Sequence, residues 1–228
     1  MKPYIICHMM QSVDGRIACD MVDKISGEEY YSALDALDCN SHIEGRYSLQ
    51  LHQCGFDEFK PSDPQALGRE AFHKASESKG YEISADSRGI LLWDKTDTAN
   101  RLCLVSEDVS TEYLDYLRRH GISYIAAGKG TIDLARAAEI LYEEFGVKRL
   151  AVVGGGKING GFLSAGLIDE ISVMTAPGID GRTAQPALFD GIEDNNDFRP
   201  ATLKFKTVST FPNGVIWARY EVVHNSKK

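Results

Sequence analysis

The stretch VVGGGKINGGFLSAGLIDE, residues 152–170, carries most of what the sequence says about the fold. It runs from a β-rich apolar segment, Leu150–Val153, through Gly154, Gly155 and Gly156 into a short helical pattern from Lys157 to Ala165. Gly166 ends that pattern. A strand that passes through a tight bend into a helix is the building unit of a parallel α/β sheet. The bend also has a chemical meaning. Glycines let the main chain approach a ligand with no Cβ in the way. The start of a helix offers unpaired N–H groups and a partial positive charge. A phosphate or pyrophosphate suits such a place, with Lys157, Ile158 and Asn159 on the first turn and Lys157 adding a full charge. Two stricter phosphate motifs do not match. G-x-G-x-x-G would need glycine where Asn159 stands, and the P-loop would need Ser or Thr where Ile158 follows Gly156-Lys157.

Working outward, the same alternation continues. Short β-rich runs occur at Tyr4–Met10, Gly89–Trp93, Leu102–Val105, Ile122–Ala127 and Ile171–Ala176. Helical stripes lie between them. Tyr30, Leu34 and Leu37 recur at helical spacing within 27–38, and Ser26 followed by Glu29 has the form of a capping box. Residues 66–78 carry a weaker helical pattern, and Leu114 and Leu117 mark a helix over 111–120. Leu134, Ala138, Leu141 and Phe145 mark another over 132–145, with Gly146 as its stop. Two longer runs, Ala201–Thr210 and Val215–Val223, flank Pro212-Asn213-Gly214, a hairpin signal. Segments 55–70 and 190–200 read as surface loops. The expected architecture is one domain over residues 1–228, a mixed, mainly parallel sheet covered by helices with a C-terminal antiparallel hairpin.

Composition narrows the function. The chain has 228 residues, 43% of them apolar, enough for a substantial core. Acidic residues outnumber basic ones 33 to 25, for a net charge of −8. That balance argues against a partner with a phosphate backbone, which calls for a Lys/Arg surplus. Five cysteines, Cys7, Cys19, Cys39, Cys54 and Cys103, include no C-x-x-C pair and no zinc spacing. They suggest free thiols in a cytoplasmic protein that uses no metal. No run of about 20 apolar residues is present, so no membrane span is expected.

Two further segments carry candidate chemistry. QSVDGRIA, residues 11–18, places Ser12, Asp14 and Gly15 directly after an apolar strand. Asp-Gly suits a plain turn. At the carboxyl end of a central strand the same carboxylate could accept hydrogen bonds from a ligand or relay a proton. HIEGRYSLQ, residues 42–50, contains Gly45, Arg46 and Ser48, where a guanidinium fork and a hydroxyl could hold a phosphate. Ser106, at the end of another strand, offers a second hydroxyl. With Arg46 it would favour the 2′-phosphate of NADP over NAD. His8 lies inside an apolar strand and reads as a buried, hydrogen-bonded core residue.

The order SVDGRIA, GRYS, VVGGGKINGGFLSAGLIDE resembles the family of the C-terminal reductase domain of bacterial riboflavin biosynthesis enzymes, the RibD C-terminal domain family, similar in fold to dihydrofolate reductase. ISGEEYY at 25–31, APGIDG at 176–181 and PALFDG at 186–191 are similar to further segments of that family. The resemblance implies a dihydrofolate-reductase-like three-layer α/β/α fold, NADPH as hydride donor, a small-molecule substrate and a homodimer. Gly154, Gly155 and Gly156 would line the cofactor pyrophosphate, followed by Lys157, Ile158 and Asn159. Gly45, Arg46 and Ser48 match the cofactor loop G-R-x-[ST], and Ser106 a strand-end residue near the adenosine phosphate. Ser12 and Asp14 would face substrate and nicotinamide, with Asp14 the first catalytic candidate, for substrate orientation or proton relay, and Glu29 the second. The chain departs from the family where Gly154 replaces a Glu before the glycines, and where GRYSLQLHQ replaces a G-x-x-T-V-x-x-D-[ND]-P segment. The implied activity is hydride transfer to a C=O or C=N group, of 5-amino-6-(5-phosphoribosylamino)uracil or a pteridine-like compound. A nucleotide-binding module without catalysis is the alternative, and an ordinary Rossmann dehydrogenase a third reading.

Overall fold

The structure, a computed structural model, describes residues 1–93, 98–192 and 200–224. Along the chain lie β1 (Tyr4–Gln11), α1 (Cys19–Ile25), α2 (Glu29–Asp35), β2 (Ser41–Gly45) and α3 (Arg46–Leu49), which runs on as a π-helical turn, Gln50–Cys54. Then come β3 (Ala71–His73), β4 (Glu82–Ala85), β5 (Arg101–Val105), α4 (Thr111–Arg119), β6 (Ser123–Ala126), α5 (Leu134–Glu143) and β7 (Arg149–Val152). The last elements are α6 (Gly156–Ser164), β8 (Glu170–Thr175), β9 (Thr202–Thr210) and β10 (Ile216–Val223). The chain divides into two compact units, Met1–Pro3 with Asn40–Leu150, and Tyr4–Cys39 with Ala151–Lys228.

In the first unit the strands lie in the order β3-β6-β5-β4-β2. β2, β4, β5 and β6 are parallel, so their carboxyl ends share one edge, and β3 runs antiparallel to β6. α4 begins where Ser110 accepts the Tyr113 N–H at 3.2 Å, and it buries Tyr113, Leu114, Tyr116 and Leu117 against Leu91, Trp93 and Cys103. α5 begins where Asp133 accepts the Arg136 N–H at 2.9 Å. These side-chain acceptors satisfy donors that a helix start leaves open.

Two sequence expectations fail here. Gly89–Trp93 is not a strand. Ile90 and Leu91 donate their N–H groups to Asp86, and Trp93 donates to the Tyr116 hydroxyl, so side chains replace a strand partner. The run is apolar because it is buried. Residues 66–78 do not form a helix. Gly68 has φ +73°, Leu67 and Gly68 donate to Val109 and Glu107, and Ala71–His73 is an edge strand. Tertiary pairing overrides a weak helical pattern.

In the second unit the order is β7-β1-β8-β10-β9. β1 and β8 are parallel, β10 is antiparallel to both β8 and β9, and the hairpin turn has Gly214 at φ +88°. α2 packs Leu34, with Leu37 just beyond it, on Ile6, and Ala33 on Met10 and Met174. α1 escaped the sequence reading. Ser26 closes α1, its hydroxyl donating to Val22, and is no cap for α2, whose first turn Glu28 precedes without a side-chain bond. His8 is fully buried between Ser172 and the Tyr30 carbonyl, as its apolar setting suggested. A carbonyl can only accept, so Nε2 carries the proton. Ser172 Oγ accepts from Trp217 Nε1 at 2.8 Å and can donate to His8 Nδ1 at 2.9 Å.

Glu170, fully buried, joins the hairpin to the sheet. Its oxygens accept from Arg219 at 2.5 Å, Lys206 at 2.6 Å and Tyr4 at 3.0 Å. Burial alone would raise its pKa, but the donors from Arg219 and Lys206 outweigh it and hold the group below the usual 4.5. A lowered carboxylate pKa stabilises the fold above the unfolded value, and that contribution is lost as pH falls through the folded one. Glu170→Gln is expected to cost about 3 kcal/mol at pH 7. In thermal melts its gap from the parent should hold at neutral pH and narrow only below about pH 4.5.

Candidate active site

The carboxyl ends of β1 and β8 meet in the second unit. Just past β1, Asp14 accepts three hydrogen bonds. Ser12 Oγ and Asp180 N donate to Oδ1 at 2.6 and 3.0 Å, and Gly181 N donates to Oδ2 at 3.0 Å. The Ser12 hydroxyl, followed by these backbone donors, holds the carboxyl well below the ordinary aspartate range. These donors favour the charged form, so Asp14 stands in the turn as a carboxylate. A carboxylate has about four acceptor positions, and one on Oδ2 remains for a ligand. Ser12 is buried, its hydroxyl committed to Asp14 and accepting from Arg16 N at 3.1 Å, so its expected substrate contact gives way to a turn-building role. Glu29 also has structural employment. Oε2 accepts from Gly27 N at 2.7 Å, and Oε1 accepts from Asn213 Nδ2 at 2.6 Å. The carboxylate that looked like a catalytic acid or half of a capping box ties α2 to the hairpin turn.

The glycine bend stands at the end of β7, as the sequence suggested, with Gly155 preceding the first turn of α6. Gly154 has φ +109°, and a Cβ there would meet the Met9 side chain at 2.9 Å. The Gly154–Gly155 peptide bond is cis. Gly156 is a different matter. Its Cβ direction is filled by the Ala187 carbonyl and the Asp190 carboxylate, so its small size serves the protein's own chain rather than a ligand. Asn159 is buried too, donating Nδ2 to the Leu188 carbonyl at 2.7 Å. Of the expected pyrophosphate contacts, Gly155, Lys157 and Ile158 stay accessible.

The segment that takes up Gly156 and Asn159 is PALFDG. Asp190 N donates to Gly156 O at 3.0 Å. On the other side Ile17 N donates to Pro186 O, Arg16 forms a β-bridge with Ala187, and Arg16 Nη1 donates to Gln185 O at 2.8 Å. Residues 185–190 thus strap the glycine bend to the Asp14 turn and bring together two places that lie far apart in sequence. Asp190 was invisible as a functional position. Its only sequence signal was membership of PALFDG.

In the first unit, Gly45 precedes α3 and places Arg46 at the carboxyl end of β2. Arg46 Nη1 donates to Gln50 at 3.1 Å, and Nε lies 3.7 Å from Asp86 Oδ1. Ser48 is half-buried on the same helix. Ser106 is buried, and its hydroxyl donates to the Ser87 carbonyl at 2.8 Å. Its expected contact with the adenosine phosphate gives way to a staple on the turn that carries Asp86 and Arg88. Neither residue was singled out from sequence, though both stand at a strand end. Among the described residues no cluster of His, Cys, Asp and Glu has the makings of a metal site, and no helix is long and apolar enough to cross a membrane.

Comparison with known proteins identifies the family. The RibD C-terminal domain matches residues 58–217. Two relatives are named 2,5-diamino-6-ribosylamino-4(3H)-pyrimidinone 5′-phosphate reductase. The one from Methanothermobacter thermautotrophicus is 29% identical over 202 residues, covering 84% of this chain and 85% of the relative. The one from Archaeoglobus fulgidus is 26% identical, covering 84% and 88%. A pyrimidine reductase-like protein from Corynebacterium diphtheriae shares the fold with a TM-score of 0.74 at 19% identity, over 98% of this chain and 93% of that one. The riboflavin biosynthesis reductase of Saccharomyces cerevisiae does so with a TM-score of 0.64 at 13% identity, over 97% and 90%. With the family matched over more than half of its length, this chain belongs to the RibD C-terminal domain family.

Proposed function

We propose that this reductase uses NADPH and acts on 2,5-diamino-6-ribosylamino-4(3H)-pyrimidinone 5′-phosphate, the compound in the names of its relatives. The observation that carries the reading is the strap, which holds a half-buried Gly155, the exposed Lys157 and the Asp14 carboxylate in one unit. Each unit, taken by itself, offers groups that suit one part of a dinucleotide. Gly155 and the first turn of α6, with Lys157, offer N–H groups and charge to a pyrophosphate. Arg46 keeps its Nη2 without a hydrogen-bond partner among the described residues, an open guanidinium edge for a 2′-phosphate. When bound, NADPH supplies hydride to a C=O or C=N carbon of the substrate. The protein supplies position and charge. Asp14 orients the substrate, its remaining Oδ2 position accepting from an amino or hydroxyl group.

The reading extends to a cytoplasmic homodimer of one functional domain. Leu203, Phe205 and Val208 on β9 are exposed on the face they share with Tyr220 and Ala218, a surface suited to a second copy. The test is NADPH oxidation with the diaminopyrimidinone phosphate, the aminouracil phosphate and dihydropterins in parallel. Binding of NADPH with turnover of none of them would favour the binding module. Arg46→Ala is expected to weaken NADPH about tenfold or more while leaving NADH within about twofold. Equal losses in a titration of both cofactors would remove Arg46 from 2′-phosphate recognition.

A further inference from the structure

We propose that Asp86 is a positioning residue for Arg46, a buried carboxylate that fixes the guanidinium so that its open edge is presented to a ribose 2′-phosphate. The inference rests on the NADPH reading and adds to it the residue that sets the discrimination. Asp86 follows β4 at the shared carboxyl edge of the parallel strands and is 0% exposed. One oxygen is fully used. Oδ2 accepts from Ile90 N at 2.7 Å, Leu91 N at 2.9 Å and the Tyr113 hydroxyl at 3.3 Å. These bonds lock the carboxyl plane. The other oxygen, Oδ1, has no hydrogen-bond partner among the described residues and lies 3.7 Å from Arg46 Nε.

A neutral amide oxygen could accept the same backbone donors at far lower desolvation cost. A carboxylate with one buried oxygen left open makes physical sense when a cation needs to be held in place. Its surroundings agree. Gln50 accepts from Nη1 at 3.1 Å, and Nε faces Asp86 Oδ1 at 3.7 Å as an ion pair, so Nη2 is the nitrogen turned away from these two partners. Glu58 lies 3.9 Å from Arg46 Nη1 and 3.5 Å from Arg88 Nη2, which puts a second guanidinium beside the first. Ser106 pins the turn that carries Asp86 and Arg88 through Ser87 O. A guanidinium held at Nη1 and Nε keeps the two N–H groups of Nη2 in a fixed direction for a phosphomonoester, whereas a loosely held one gives up that gain to conformational entropy.

The test uses the whole protein and two probes, adenosine 2′,5′-bisphosphate and adenosine 5′-monophosphate, each titrated by calorimetry. The quantity read is the ratio of the two affinities, which general destabilisation does not shift selectively. Asp86→Asn should lower the preference for the bisphosphate about tenfold. In an Arg46→Ala background the same change should have no further effect on the ratio. An unchanged or increased ratio in folded Asp86→Asn overturns the proposal, as does an equal effect with and without Arg46. If Asp86→Asn fails to fold, Arg46→Lys decides. It keeps the charge but has no Nε–H beside Asp86 and no fork, so its preference should fall nearly to that of Arg46→Ala, and full retention overturns the proposal. A parent protein with no preference for the bisphosphate would instead sink the NADPH reading itself, and this inference with it.

Discussion

Gly160→Ala should lower the melting temperature by about 6 °C, a large loss of stability for a single methyl group. A Cβ at Gly160 would lie 1.9 Å from the Asp190 carbonyl oxygen, a backbone atom that cannot rotate away. The strap has little room to retreat. Asp190 N is bonded to Gly156 O, Ala187 N to the Asp190 carboxylate at 2.9 Å, and the Leu188 carbonyl to Asn159. Overpacking of this kind costs about 3 kcal/mol, which for a chain of this size converts to about 10 °C. Helix propensity acts the other way, since alanine is better than glycine in a helix by about 1 kcal/mol, which leaves a net loss of about 2 kcal/mol, or about 6 °C. The sign of the change is therefore informative. A variant that melts at or above the parent temperature, followed by circular dichroism, would show that residues 185–190 do not lie on α6.

Gly155→Val should cost about a hundredfold in NADPH affinity and little in stability. The reason is a contrast among three neighbours. Gly154 occupies φ +109°, and Gly156 faces the strap, so a side chain at either disturbs the protein itself. Gly155 has φ −75° and ψ −166°, extended backbone open to any residue, and is only half-buried. A branched side chain there meets no φ penalty and would stand at the first turn of α6, where a pyrophosphate would rest. A hundredfold loss corresponds to about 3 kcal/mol. Unchanged affinity in a variant that melts like the parent would mean that the dinucleotide lies elsewhere.

Much of the fold was legible because its signals are local. Gly146, Gly166 and Gly214 end their elements at positive φ as the sequence suggested. The strand–bend–helix unit at 149–164 and the Pro212-Asn213-Gly214 hairpin stand where the pattern put them, with boundaries shifted by a residue or so. Locally legible signals misled where burial imitates a strand, as at Gly89–Trp93, or where one residue serves two elements, as Ser26 does. Within each unit the singled-out motifs follow strands, since parallel strands bring their carboxyl ends to one edge of that unit.

What the sequence determined by itself was the alternation of elements, the positions of the turns and the segments around which a ligand would gather. These follow from backbone freedom and hydrophobic period, which act over a few residues. The role of each side chain in those segments was decided by tertiary structure. Asp14 reads as a carboxylate in a plain Asp-Gly turn until Asp180 and Gly181, 166 and 167 residues away, deliver two backbone donors to it. Gly156 reads as a ligand cradle until Asp190 fills its Cβ direction, and Ser106 as a phosphate contact until Ser87 takes its hydroxyl. Hydrogen bonding is short-ranged in space and indifferent to separation along the chain. A polar residue's task is set by the partners that folding brings within about 3 Å of it.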